Sequence, residues 1–116
     1  MKTLPALFVL LALGISASAA EIRKGATTHV KPNAIWFQDA EKLTRWQALK
    51  KGGDATALAA YEKEVLGARE AWQFLKTLSV KVLGVDRVKQ QVNVGMKTKG
   101  RMEGTAWFLD QAALAR

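Results

Sequence analysis

Leu78-Ser79-Val80-Lys81-Val82-Leu83-Gly84, Gln91-Val92-Asn93-Val94-Gly95-Met96 and Gly104-Thr105-Ala106-Trp107-Phe108-Leu109-Asp110 are three short runs in which apolar residues recur at every second position. That period places alternate side chains on one face of a strand, and the Gly, Lys and Asp clusters between the runs supply turns. The pattern predicts three consecutive antiparallel strands. Leu78, Val80 and Val82 share a face on the first, and Val92, Val94 and Met96 share one on the second. On the third, Thr105, Trp107 and Leu109 oppose Ala106 and Phe108. Asp86 to Gln90 form one turn. Gly100 and Gly104 bracket the other, whose tip carries Lys97, Lys99 and Arg101. Asp110 is placed to start a single helical turn carrying Leu114.

Working outward, Ala26 to Lys31 alternates in the same way and reads as a further strand, ended by the Pro32-Asn33 turn. Ile35-Trp36-Phe37 is a short apolar landing. Asp39 can cap a helix beginning at Ala40, with Leu43, Trp46 and Leu49 on one face and Glu41 and Arg45 as an exposed i,i+4 pair. Gly52-Gly53 ends it, and Asp54 caps a second helix. There Leu58, Tyr61, Val65, Ala68, Trp72 and Leu75 form one long apolar stripe, which predicts a helix to Leu75 unless Gly67 kinks or breaks it. Two such helices joined by Gly-Gly make a hairpin over about 39–75. Trp46 and Trp72, on the helical stripes, are expected in the core. The fold class is therefore α+β: a small antiparallel sheet with a helical hairpin packed on it.

The N-terminus reads as an export signal. Lys2 is its charged region, Leu4 to Ile15 its apolar run, and Ala17-Ser18-Ala19 its cleavage box, with cutting near Ala19/Ala20. About a dozen apolar residues are too few for the roughly 20 that a spanning helix needs. This predicts a periplasmic or secreted protein with residues 1–19 as signal peptide, no transmembrane segment in the mature chain, and one domain over 20–116. Cysteine is absent, so no disulfide framework supports the fold and apolar packing must hold it. The chain carries a net charge of +8; without Lys2, 17 basic residues stand against 10 acidic, or +7. Such a surface favours anionic partners. Export turns the expectation away from nucleic acid, toward cell-wall polymers, anionic headgroups or an acidic protein face.

One strand before a long insertion, two strands joined by a hairpin, and a third ending in Gly104-Thr105-Ala106-Trp107-Phe108 before a helical turn and Leu114 resembles a bacterial SH3-like barrel. In that family a Gly-x-Gly-Trp-Val-type segment commonly precedes a one-turn helix and the last strand. Here two residues, Thr105 and Ala106, separate Gly104 from Trp107, and the chain stops at Arg116, leaving room for only a vestigial final strand. The resemblance covers about half of the mature chain. It implies a small SH3-like β-barrel or sheet in which the helical hairpin replaces the loop joining the first two strands. It also implies Trp107 as a contact residue.

Catalytic and metal chemistry find little to work with. His29 is the single histidine, no Cys exists, and no Gly-x-Ser-x-Gly segment is present. Glu62, Glu64 and Glu70, flanked by Lys63 and Arg69, read as solvated helix surface. One His cannot supply a zinc site, and of a conceivable soft-metal set, Met96, Met102 and His29, Met96 reads more simply as core. The sequence therefore predicts no enzyme, no cofactor and no metal. It predicts an exported binding or accessory protein of the cell envelope, a monomer or weak dimer. Its contacts to an anionic component or acidic protein run through Lys97, Lys99, Arg101 and Trp107. Arg87 and Lys89 would extend that patch if the two hairpin tips lie together. The alternative is a periplasmic inhibitor or immunity protein that presents the Lys97–Gly104 segment to the cleft of an acidic wall-degrading enzyme.

Overall fold

The computed structural model describes residues 22–115. The signal peptide expected over 1–19, and its cleavage point, lie outside the described residues. The described chain is α+β: one seven-stranded antiparallel sheet in the order β3-β2-β6-β5-β4-β1-β7, with two helices. The strands are β1 (Thr27–Val30), β2 (Ile35–Phe37), β3 (Ala71–Gln73), β4 (Leu78–Asp86), β5 (Gln91–Met96), β6 (Ala106–Asp110) and β7 (Leu114–Ala115). Helices α1 (Ala40–Gly52) and α2 (Ala55–Gly67) lie between β2 and β3.

The three alternating runs are β4, β5 and β6. Val80 pairs with Met96, Val82 with Val94, and Val94 in turn with Trp107. The register slips between Val82 and Gly84. This extra residue turns exposed Leu83 outward and restores Val85 to the core side, where it packs against the buried cluster. A three-residue 3-10 turn, Gln111–Ala113, is capped by Asp110, whose carboxylate accepts from Ala112 N at 3.0 Å. The chain then returns to pair Leu114 with Val30.

Both faces of the sheet are used. One buried cluster joins Val30, Trp36, Val80, Val94, Trp107, Leu109 and Leu114. Its members come from β2 near one edge and β7 at the other, so the sheet curls round to enclose them. Trp36, Phe74 and Trp107 meet edge to face at 5.1–6.5 Å, the geometry that aromatic quadrupoles favour. The second cluster, Phe37, Leu43, Tyr61, Val65 and Ala71, with Phe108 half-buried beside it, lies under the helices. Adjacent residues of β2 and of β6 thus serve opposite cores.

The helices start where their caps require. Asp39 accepts from Lys42 N at 2.8 Å and Asp54 from Ala57 N at 3.0 Å. Gly53, at φ +81°, closes α1 by donating to Lys50 O. The expected exposed pair of Glu41 and Arg45 does not form an ion pair; Arg45 lies over the Tyr61 ring instead, 5.4 Å from its centroid.

The second helix is shorter than its stripe predicts. It ends at Gly67, and residues 71–73 are a strand. Arg69 N donates to Leu66 O and Glu70 N to Val65 O, with Arg69 at φ +62°. Those two bonds satisfy the last carbonyls and turn the chain back onto the sheet. Trp72 then pairs with Trp36 across β2–β3 and packs against the curled-sheet core, not on a helix face. Leu75, the last residue of the expected stripe, is 77% exposed.

Candidate functional site

The loop between β5 and β6 is held by its base. Gly104 N donates to Met96 O and Met96 N to Thr105 O, at 2.9 and 2.8 Å. Lys97 N donates to Ser79 O, and the Thr98 hydroxyl accepts from Ser79 N at 2.8 Å. Inside the loop, Thr105 Oγ1 donates to Met102 O, and half-buried Met102 packs against the core. Gly100 and Gly104 take φ of +143° and +88°, which L side chains rarely adopt. Lys97, Lys99 and Arg101 all stand exposed on this frame with Glu103, and none of the three cations forms an ion pair among the described residues. These three predicted residues lie together.

Trp107 does not join them. It is 3% exposed, meets Trp36 and Trp72 edge to face, and donates its indole N–H to Thr105 Oγ1 at 2.7 Å. A ring whose edges and polar atom are all engaged in the core is a structural group, so the expected contact role for Trp107 falls away.

The other turn is not part of the patch either. Residues 87–90 and 97–104 leave opposite ends of β5, six residues that put their ends about 17 Å apart. Arg87 turns back on its own chain, donating to Ile22 O at 3.1 Å. Lys89 faces α1 instead. There a hollow of about 590 Å³ opens between α1 and the 87–90 turn, lined by Gln47, Lys50, Lys51, Val88, Lys89 and Asp110 among others.

The inner side of this hollow is a polar network. Gln91, 4% exposed, donates through Nε2 to Thr44 Oγ1 at 2.8 Å and Gln47 Oε1 at 2.9 Å. Gln47 Nε2 in turn donates to Asp110 Oδ1 at 2.7 Å and Gln90 O at 3.2 Å. Local periodicity does not connect these residues, because α1 and the turn lie some forty positions apart. One signal was available: Gln91 precedes Val92 on a strand, so the alternation points a polar side chain toward whatever covers the outer face.

Two lysines of α1 have clear surroundings. Lys50 Nζ lies 4.9 Å from the Trp46 ring centroid, while Trp46 Nε1 donates to Glu62 Oε2 at 2.8 Å. Lys42 bridges Asp39 and Glu70 at 3.4 and 3.5 Å. Its hydrogen bond to Asp39, and then the charges of Asp39 and Glu70, raise its pKa above the ordinary lysine value. His29 is exposed, and Met96 is buried in the core. Among the described residues no group of three His, Cys, Asp or Glu is placed to hold a metal, and no helix is long and apolar enough to cross a membrane. Comparison of the chain with protein-family profiles, curated proteins and solved structures returns no match in any of the three.

Proposed function

We propose that the protein is an exported, non-enzymatic binding or accessory protein of the cell envelope, and that it contacts an anionic component through the 97–104 loop. The supporting observation is the set of three exposed cations, none of them ion-paired among the described residues, on a loop fixed at its base by main-chain and threonine hydrogen bonds. A loop ordered before binding loses less conformational freedom on contact, so weak individual charge pairs add up. The SH3-like reading is supported by the neighbour order β6-β5-β4-β1-β7 and by the 3-10 turn leading into a two-residue closing strand.

The test is co-sedimentation with isolated envelope material at about 50 mM and about 500 mM salt, across which the Debye length shortens roughly threefold. Replacing Lys97, Lys99 and Arg101 together by Ala is expected to lower low-salt binding roughly tenfold and to flatten its salt dependence. Unchanged binding by the triple variant would remove the loop from the proposal.

A further inference from the structure

The hollow beside α1 carries a second inference, independent of the 97–104 loop. We propose that the trough between α1 and the 87–90 turn is a docking site for an extended acidic peptide segment that also carries an apolar side chain.

Shape is the first argument. The larger hollow adjoins a second of about 350 Å³, and both are lined by Thr44, Ala48 and Lys89. Together they follow α1 from Ala40 to Lys51, a length of about 17 Å, enough for roughly five residues of extended chain.

Charge is the second. Arg45, Lys50, Lys51 and Lys89 border the trough. Its acids are Glu41 and Asp110, and both oxygens of Asp110 already accept hydrogen bonds, from Gln47 and from Ala112 N. Four cations against these two carboxylates leave the lining net positive, which selects a partner rich in Glu or Asp.

Preorganisation and an apolar anchor complete the case. The wall formed by Thr44, Gln47 and Gln90 is already hydrogen-bonded, with buried Gln91 behind it, so binding need not order it. The turn opposite is fixed by Lys89 N donating to Asp86 Oδ1 at 3.0 Å and by Gln111 N donating to Gln90 O at 2.9 Å. At its tip Val88 is 94% exposed, an apolar side chain held in water at the lip of a basic trough. A partner side chain of Leu or Val size would cover it.

The experiment is fluorescence anisotropy with a fluorescein-labelled decapeptide of alternating Glu and Leu, and a second of alternating Glu and Ser. Two triple variants remove the same charge: Lys50→Ala, Lys51→Ala, Lys89→Ala in the trough, and Lys97→Ala, Lys99→Ala, Arg101→Ala on the other loop. All six side chains are exposed, and circular dichroism checks that both variants stay folded. The trough variant is expected to weaken Glu-Leu binding about tenfold, each exposed pair contributing a factor of about two to three, while the loop variant changes it less than about twofold. Val88→Ser is expected to weaken Glu-Leu binding and leave Glu-Ser binding unchanged. Equal weakening by the two triple variants would reduce the effect to bulk charge and overturn the proposal. So would retained binding by the trough variant, or the lack of saturable binding by the unmodified protein. Because envelope binding is assigned to the other loop, either proposal can fail while the other stands.

Discussion

Arg69 occupies the left-handed position that follows α2, with φ +62° and both closing hydrogen bonds in place. Glycine normally fills this position because a Cβ there costs about 1 kcal/mol. Arg69→Gly is therefore expected to stabilise the protein by roughly 0.5–1 kcal/mol, read as a rise of a few degrees in Tm. Two residues earlier the logic reverses. Gly67 is helical, and a Cβ added there would meet nothing within 4 Å. Gly67→Ala is expected to stabilise by a similar amount, which differential scanning calorimetry would detect. A third residue ties stability to alkaline pH. Burial pushes the Tyr61 phenol above its ordinary pKa, against the pull of Lys42 and Arg45. The unfolded chain then ionises first, so this contribution is complete below about pH 10 and is lost as pH climbs through the folded value. Lys42, also raised, acts in the same direction and over a similar range. Urea titrations from pH 8 to 11 should show stability falling above about pH 10, and less steeply in Tyr61→Phe.

The elements differ in how much of them the residue pattern discloses. β4, β5 and β6 follow from alternation because each has one face on the core: Val80, Val82, Val92, Val94, Met96 and Leu109 are buried on the faces that the period assigns them. The helix starts follow from Asp39 and Asp54, whose carboxylates accept from Lys42 N and Ala57 N. Asp39→Ala is expected to cost about 1 kcal/mol, more than Asp54→Ala, since Asp39 also holds Lys42 and is less exposed; paired chemical denaturations would measure the difference. β2 and β3 were not legible. Three residues are too short to show a period, and Trp72 and Leu75 fall by coincidence on the phase of the α2 stripe. Pairing of Trp72 with Trp36 and the closing bonds at Arg69 outweigh that phase. At the sites, the 97–104 cations were readable because Gly residues bracket them in sequence. The trough was not, because its lysines come from a helix end and a distant turn that only the folded chain brings together.

Over the described residues, two cores share the strands β2, β3 and β6. Trp36 is 1% exposed in one and Phe37, its neighbour, is fully buried in the other; Phe108 and Leu109 divide in the same way on β6. Damage to either core should therefore be felt by both. Phe37→Ala, on the helical side, is expected to cost about 3–5 kcal/mol. Its thermal unfolding followed by far-ultraviolet circular dichroism and by tryptophan emission should still coincide in one transition. Separate midpoints would mean that the helical layer melts by itself. The hairpin also departs from and rejoins the sheet at hydrogen-bonded neighbours, Gln38 N donating to Glu70 O at 3.2 Å. A detour whose two ends already touch behaves like a drawer in a cabinet. Its contents can grow, shrink or be exchanged by insertion and deletion while the strands on either side keep their alignment, provided that something oily still closes over Phe37.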